Sequence, residues 1–229
     1  KGNINTSLEK FLIKKNNKLK ISLLHLDLDI YSPTKLVLET LYKYVSKKGI
    51  ILLDDYKHIK GATVAVDEFL KNRIFEPLGM HDTHFYLPIE KKERLATVYS
   101  LTDKLRRAPE GSAMETQGQY VEGPRRSFSG GAGLLSTARD YSRFLQMLLN
   151  EGQLNGTRVL SPSSVSLMTK NHVGDLYIDE PGMGFGLGFS VRLDVGAAGV
   201  PGSEGEYGWG GAYHSTYWVD PTENLIVLY

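Results

Sequence analysis

The sequence contains no cysteine among its 229 residues, which excludes disulfide bonds, thiolate metal sites and a cysteine nucleophile. It also lacks a surplus of either charge, because 27 basic and 26 acidic residues leave a formal net charge of +1. A near-neutral chain gives no reason to expect a nucleic acid as partner. No apolar run approaches the roughly 18 residues of a membrane span, and the first residues do not have the pattern expected of a signal peptide. We therefore expect a cytoplasmic protein with neither a nucleic-acid nor a membrane partner.

Arginine is missing from the first 72 residues, and this absence divides the chain. Residues 1–72 hold 13 Lys, no Arg and 8 acidic residues, whereas residues 73–229 hold 4 Lys, 10 Arg and 18 acidic residues. The two parts therefore carry net charges of +5 and −4. Lys and Arg are nearly equivalent on an exposed surface, so folding does not require such a change. A junction between coding sequences of two origins explains it, and a basic domain beside an acidic domain is the alternative.

The first part has the pattern of a β-α-β-α unit. Ile21–Leu28 is an apolar run of strand length, and Ile50–Leu53 is a second one. Between them, Pro33 suits the first turn of a helix that Gly49 is predicted to end. Gly61–Leu70 then returns to helix. The helical crossover predicts that the two strands are parallel neighbours in one sheet.

Acidic residues follow both predicted strands. Asp27 and Asp29 come at the end of the first, and Asp54 and Asp55 at the end of the second. Ligands of open parallel sheets bind outside the carboxyl ends of the strands. Carboxylates that converge there repel one another unless a hard cation such as Mg²⁺ or Ca²⁺ neutralises them. The alternative is that these acids only end the strands and cap the following helices.

The motifs of this part resemble the macrocin O-methyltransferase family, whose members use a metal ion and S-adenosylmethionine to methylate hydroxyls of sugars and related natural products. The matching segments are Leu24–Thr34, Gly49–Tyr56, Gly61–Ala62 and Ala65–Phe69. The resemblance implies that Asp27, Asp54 and Asp55 are metal ligands, with Mg²⁺ as the candidate ion, and that Asp27 also helps to deprotonate the acceptor hydroxyl. It covers the C-terminal part of that family's domain. S-adenosylmethionine is thus implied, although the upstream glycine-rich cofactor loop has no counterpart in this sequence.

The second part opens with Ile74–Thr83, where proline and glycine close a helix. Thr137 and Asp140 have the spacing of a capping box at a helix start. After these residues, apolar residues recur at the spacing of a buried helical face, and Gly152 is predicted to end the helix. The residues of this face are Tyr141, Phe144, Leu145, Leu148 and Leu149.

Glycine alternates with large apolar residues in Gly182–Phe189. This period of two favours a strand with one crowded face over a phosphate-binding loop, because no helical pattern follows. Further on, Tyr207–Gly211 leads into Thr216–Val219, then a turn at Asp220–Pro221, then Leu225–Tyr229. This order predicts antiparallel hairpins.

These blocks resemble the serine β-lactamase-like family, in the branch of class C β-lactamases, D-alanyl-D-alanine carboxypeptidases and esterases. The matching blocks are Ile74–Met80, Gly130–Asp140, Gly184–Phe189, Trp209–Gly211 and Trp218–Pro221. The resemblance implies that Trp209, Gly210 and Gly211 occupy the third active-site box, usually Lys-Thr-Gly or His-Thr-Gly. The strand of that box lines the pocket and helps to form the oxyanion hole. Tryptophan in place of the basic residue favours the esterase-like members. His214 is not part of the pattern, and we expect a surface histidine of the hairpin.

The nucleophile of that family is a serine followed three residues later by a lysine, assisted by a tyrosine or serine of a second box. Both boxes precede the block that begins at Ile74, where this chain carries its methyltransferase-like part. Ser7–Lys10 matches the Ser-x-x-Lys pattern, but a pattern with two free positions arises readily by chance. We therefore expect a chain without an activated serine, which can bind a substrate but cannot be acylated by it.

The sequence thus predicts an α/β chimera of two truncated enzymes. A partial Rossmann-like βαβα unit (residues 1–72) precedes a partial β-lactamase-like α+β domain with an antiparallel sheet (residues 73–229). Three functions stay open: an esterase-like serine hydrolase, a metal- and S-adenosylmethionine-dependent O-methyltransferase, and a non-catalytic remnant or artificial fusion. An active chain would take a small-molecule substrate. The open edges of a two-stranded parallel sheet favour self-association.

Overall fold

The computed structural model describes residues 3–15, 18–54, 59–101, 104–108, 134–176, 180–211 and 213–229. The chain divides into two units, Lys1–Pro77 and Leu78–Tyr229. The domain boundary expected at Asn72 rests on composition and stays a prediction. No helix among the described residues is long and apolar enough to cross a membrane.

In the described part of the first unit, two parallel strands pack against three helices. The elements are α1 (Ile4–Lys15), β1 (Ile21–Leu26), α2 (Tyr31–Leu41), β2 (Val45–Leu53) and α3 (Lys60–Leu70). A 3-10 turn (Tyr42–Tyr44) separates α2 from β2, and a π-helical turn (Lys71–Phe75) follows α3. All three helices contribute to one buried cluster, which therefore covers a single face of the sheet. Its members are Leu8, Leu24, Leu26, Val37, Leu38, Leu41 and Val66.

The parallel pairing of β1 and β2 is confirmed, but the predicted end of the intervening helix is wrong. Ile21 pairs with Val45 and Leu23 with Ile50, so β2 carries extra residues between these two pairs. Gly49 lies in this irregular stretch of β2 instead of ending a helix. A Cβ atom there would approach the carbonyl oxygen of Ile21 to 2.8 Å. The glycine therefore permits a close approach of two strands, which sequence spacing alone does not distinguish from a helix end.

The second unit contains short hairpins, helices and one larger sheet. Its elements are β3 (Tyr99–Leu101), β4 (Leu105–Arg107), α4 (Ala138–Leu149), β5 (Gln153–Leu154), β6 (Thr157–Arg158), α5 (Pro162–Met168), β7 (Met183–Phe185), β8 (Ser190–Arg192), α6 (Val195–Ala198), β9 (Tyr207–Gly210), β10 (Thr216–Asp220) and β11 (Leu225–Leu228). Five of the described strands form an antiparallel sheet in the order β11-β10-β9-β8-β7. The predicted hairpins of β9, β10 and β11 are confirmed.

Helix α4 begins and packs as its sequence predicts. The hydroxyl of Thr137 accepts a hydrogen bond from the backbone N–H of Asp140 (3.2 Å), which caps the first turn. Leu145 and Leu148 are buried, and the ring of Tyr141 lies 5.1 Å from that of Tyr217 on β10. The helix therefore covers one face of the antiparallel sheet.

The carboxylate of Asp140 has a different partner from the one a capping box provides. Its Oδ2 accepts hydrogen bonds from the backbone N–H of Asp82 (2.6 Å) and the hydroxyl of Thr83 (3.1 Å). The Thr83 hydroxyl is also hydrogen bonded to that of Ser136 (2.9 Å). The buried carboxylate thus fastens a distant segment to the start of α4, because a buried acceptor needs such partners.

The glycine-rich segment Gly182–Phe189 forms a strand only in its first half. β7 ends at Phe185, the chain turns, and β8 follows instead of a helix. The crowded face is confirmed: a Cβ atom on Gly184 would lie 2.6 Å from the side chain of Asn171, and one on Gly186 would overlap the carbonyl oxygen of Met168. The segment is therefore a tightly packed hairpin, not a phosphate loop.

Candidate functional site

The structure brings the three predicted third-box residues together at one end of the antiparallel sheet. Trp209 and Gly210 end β9, and the backbone N–H of Gly211 donates to the carbonyl of Ser215 across the turn to β10 (2.6 Å). All three residues are exposed. They therefore lie where a ligand can reach both side chain and backbone. His214 is also exposed in this turn, as predicted.

The backbone of Gly210 faces an open edge. Strand β8 begins at Ser190, which pairs with Gly208, so β9 extends beyond its neighbour on that side. Successive residues of an antiparallel strand direct their N–H and C=O groups to opposite sides. Gly211 uses the side of β10, so Gly210 presents its groups to the side that β8 leaves uncovered. A backbone donor at such an edge suits a developing oxyanion.

The side chain of Trp209 gives this end of the sheet an apolar surface. Its ring centroid lies 5.0 Å from that of Phe185 in an edge-on contact, and the residue is 45% exposed. Leu187, in the turn between β7 and β8, is 50% exposed. An uncharged apolar group fits this surface better than a carboxylate, which would lose hydration without gaining a charged partner.

A cleft of about 540 Å³ extends from Trp209 and Gly210 across the sheet. Gly208 pairs with Trp218 and Gly210 with Thr216, and opposite residues of an antiparallel pair share a face. Four lining residues therefore belong to one surface. The full lining is Glu180, Met183, Ser190, Arg192, Pro201, Glu206, Tyr207, Gly208, Trp209, Gly210, Thr216, Tyr217 and Trp218.

A buried ion pair forms part of the cleft wall. Arg192 donates from Nη2 to Oε1 of Glu206 (2.8 Å), with side chains only 8% and 12% exposed. Nη1 of Arg192 donates to the carbonyl of Val200 (3.4 Å), while its Nε has no hydrogen-bond partner among the described residues. The two charges neutralise each other, so the pair fixes the wall without giving the cleft a net charge.

Three tyrosines lie close together under the sheet. Burial raises the pKa values of Tyr141, Tyr207 and Tyr217 above the usual range. The hydroxyl of Tyr207 has no hydrogen-bond partner among the described residues. Burial therefore disfavours the deprotonation of all three phenols.

The hydroxyls of the cleft are not activated. Ser190 donates to the carbonyl of Gly208 (3.1 Å), and Thr216 donates to that of Trp209 (3.4 Å). In the first unit, Ser7 donates to the carbonyl of Asn3 (2.7 Å). No lysine, histidine or tyrosine among the described residues accepts a proton from these hydroxyls. A hydroxyl without an adjacent base is a weak nucleophile.

The structure brings two of the three predicted metal ligands together. Asp27 and Asp54 directly follow the paired residues Leu26 and Leu53, and the backbone N–H of Asp54 donates to the carbonyl of Leu26 (2.9 Å). Both side chains are exposed, and Asp55 lies outside the described residues. The described residues contain no group of three His, Asp or Glu that could hold a metal ion. This donor set is incomplete for a hard cation, which takes six or more oxygen ligands.

Two features of the second unit were not predictable from sequence patterns: the ion pair of Arg192 with Glu206 and the long-range partner of Asp140. The ion pair depends on the register of β8 against β9, and a pattern of glycines and aromatics does not fix that register. The bond between Asp82 and Asp140 spans 58 residues. The only local signal was a buried acid placed as the third residue of a helix.

Two family models match the sequence. The model described as Beta-lactamase matches residues 56–229. The model described as Macrocin-O-methyltransferase (TylF) matches residues 9–86. The first match includes the candidate site of the second unit, and the second includes Asp27, Asp54 and Asp55.

The curated relatives include an uncharacterised protein of Mycobacterium tuberculosis, 38% identical over 175 residues, covering 71% of this chain and 42% of that protein. The lovastatin esterase of Penicillium rubens is 30% identical over 192 residues, covering 74% and 45%. Esterase EstB of Burkholderia gladioli is 30% identical over 169 residues, covering 68% and 41%. The chain thus spans less than half the length of these relatives.

Two solved structures have a similar fold. EstCE1, described as a hydrolase with promiscuous acyltransferase activity, has a TM-score of 0.59 and 27% sequence identity, and the match covers 70% of this chain and 44% of the EstCE1 chain. A mutant of simvastatin synthase (LovD) from Aspergillus terreus has a TM-score of 0.55 and 24% identity, covering 70% and 42%. The second likeness concerns the fold alone.

Proposed function

Because this chain belongs to the β-lactamase family, we propose that its second unit provides the substrate-binding sheet of an ester hydrolase. The main support for this proposal is the open end of β9, where exposed Trp209 adjoins a backbone edge that β8 leaves uncovered. In this proposal, Trp209 contacts the apolar part of the ester. The N–H of Gly210 faces its carbonyl oxygen, where a donor stabilises developing negative charge.

An ester is favoured over a carboxylate-bearing substrate for two reasons. Trp209 occupies the position where the family usually has a basic residue, so this position offers no cation to a carboxylate. The buried pair of Arg192 and Glu206 is neutral as a whole. Two curated relatives are esterases by name, which supports the same substrate class.

We further propose that these residues bind a substrate without being acylated by it. Ser190 and Thr216 each donate to a backbone carbonyl instead of to a base. Attack on an ester requires a nucleophile whose proton is removed as the bond forms. The described part of the chain does not offer such a pair at the end of β9.

Covalent labelling with a fluorophosphonate tests this proposal. We expect no labelled protein, and the same result for Ser7→Ala, because Ser7, Ser190 and Thr216 each donate to a backbone carbonyl and not to a base. An intact serine esterase serves as the positive control for the probe. Labelling that disappears in Ser190→Ala or Thr216→Ala would contradict the proposal. Labelling that disappears in Ser7→Ala would contradict it too and identify Ser7 as the nucleophile.

A divalent-cation site in the first unit is a second candidate, related to the O-methyltransferase family. The register of β1 against β2 supports it, because it brings Asp27 beside Asp54. A bound cation would supply Lewis-acid chemistry, and these carboxylates would hold it together with Asp55. Since only two of the three ligands are described, we derive no reaction step from this site.

Isothermal titration calorimetry of the chain with Mg²⁺ tests this second candidate, because it measures binding of the cation. We expect weak binding that Asp54→Ala abolishes and that Glu39→Ala, an exposed acid on α2, leaves unchanged. Equal binding by the two variants, or none by the parent chain, would remove the metal site. A parallel titration with S-adenosylmethionine that shows no binding would remove the methyltransferase as a function of this chain.

We also propose that the two units derive from different proteins. The chain would then be a non-catalytic remnant or an artificial fusion. The change from lysine to arginine at Asn72 and the two family matches support it. The flanking coding sequence decides the point. An in-frame Ser-x-x-Lys box upstream, within one continuous β-lactamase-like reading frame, would contradict the fusion.

A further inference from the structure

One face of the parallel sheet in the first unit is apolar and uncovered. Leu23, Ile50 and Leu52 are 59%, 62% and 49% exposed, and Leu23 pairs with Ile50 across the two strands. The buried cluster with its three helices lies on the other face. Parallel sheets are ordinarily covered on both faces, so this surface is suited to a partner.

Lysines lie at the amino edge of this face, whereas the exposed acids Asp27 and Asp54 lie at its carboxyl edge. Residues 10–26 and 40–53, which contain both strands, hold eight lysines and no acidic residue. Within the described part of the chain, none of the lysines with described side chains in these segments forms an ion pair. These exposed lysines are Lys10, Lys14 and Lys15 on α1, which packs on the other face, and Lys18, Lys20 and Lys43 at the amino edge of the sheet.

The lysines and the apolar residues lie close enough to contact one surface. Lys20 immediately precedes β1, and Lys43 lies in the turn that immediately precedes β2. Because the strands are parallel, both lysines lie at the amino edge of the sheet. Leu23 follows Lys20 by three residues, which is roughly 10 Å along a strand. An apolar patch thus adjoins a positively charged edge.

We propose that this lysine-flanked sheet face binds the surface of an anionic lipid bilayer. Lysines near such a surface are attracted to its acidic headgroups, and apolar side chains insert into the boundary between headgroups and acyl chains. The sequence-based expectation of no membrane partner rested on the lack of a run long enough to span a membrane, whereas peripheral binding needs no membrane-spanning helix. The inference concerns the first unit and does not depend on the hydrolase proposed for the second.

Two other occupants fit the observations less well. A nucleic acid would use the lysines but would leave Leu23, Ile50 and Leu52 against water or phosphate, because aliphatic side chains do not stack on bases. A second copy of this chain would bring two lysine edges of equal sign together, which opposes association. An anionic bilayer satisfies both the charge and the apolar surface.

Co-sedimentation with vesicles tests the proposal. We expect the chain to bind phosphatidylglycerol-containing vesicles, to be released progressively by salt, and to ignore vesicles of phosphatidylcholine alone. Lys18→Glu with Lys20→Glu should weaken binding at least about 25-fold, since each lysine contributes about fivefold. Leu23→Ser should weaken it about tenfold through lost apolar burial. A matched double variant, Lys60→Glu with Lys170→Glu, changes the same charge elsewhere and should bind like the parent chain.

Several outcomes would overturn the proposal. One is that the chain stays in the supernatant with anionic vesicles, and another is that the two double variants bind equally. Sedimentation without vesicles would show self-association through the open strand edges instead. Tighter binding to duplex DNA than to vesicles, insensitive to Leu23→Ser, would assign the lysines to nucleic acid. Circular dichroism of each exposed-site variant confirms that folding is unchanged, so that weaker binding reports on the surface itself.

Discussion

At the scale of single residues, Asp82 is an acid of the second unit with several charged partners. Its carboxylate accepts two hydrogen bonds from Arg94 (2.8 and 3.0 Å) and one from Lys91 (2.6 Å). The two hydrogen bonds from Arg94, and then the one from Lys91, hold the pKa of Asp82 below its usual range. Its backbone N–H donates to Asp140 at the start of α4. Asp82 therefore connects the segment around Arg94 to that helix.

This arrangement predicts an acid-dependent loss of stability. A carboxyl whose pKa is lower in the folded state stabilises the fold above the unfolded pKa, about 3.9 for aspartate. That contribution disappears as the pH falls through the lower, folded value. Thermal unfolding followed by circular dichroism should therefore show that Asp82→Asn lowers the melting temperature at neutral pH. The difference from the parent chain should shrink as the pH falls below about 4.

The matched control is Asp175→Asn, because Asp175 is exposed and forms no ion pair within the described part of the chain. Its melting temperature should follow that of the parent chain at every pH. A difference for Asp82→Asn that stays constant between neutral and acidic pH would mean that the loss comes from packing instead of charge. That result would contradict the electrostatic explanation.

At the scale of elements, local signals predicted those helices and strands whose ends the sequence itself determines. Helix α4 followed from the cap at Thr137 and from apolar residues at helical spacing. The hairpin of β9 and β10 followed from two aromatic runs separated by glycines. Helix α1 was not predicted. Its Leu8 is buried against the rest of the first unit, and tertiary packing stabilises a helix whose sequence signal is weak.

The candidate site was predictable to a similar extent. The adjacency of Asp27 and Asp54 followed from the rule that parallel strands end at one edge, and Trp209 followed from a motif. The uncovered backbone edge at Gly210 could not be predicted from the sequence, because it depends on where β8 begins. A partner strand's starting point is a tertiary property, and residues of one strand do not determine it.

At the scale of the whole molecule, the net charge of +1 conceals two units of opposite character. The first part carries lysines and a net charge of +5, and the second carries arginines and a net charge of −4. The β-lactamase family match covers the whole sheet of the second unit. The proposed roles follow this division, with an anionic surface for the basic unit and a neutral ester for the other.

A fluorescence titration tests whether the end of β9 binds an uncharged ester. The chain has two tryptophans, so Trp218→Phe leaves Trp209 as the sole indole reporter. A neutral alkyl trifluoromethyl ketone should change its fluorescence saturably. A carboxylate of the same chain length should bind at least about tenfold more weakly, because it would be desolvated without a cation. No saturable change, or tighter binding of the carboxylate, would contradict the account.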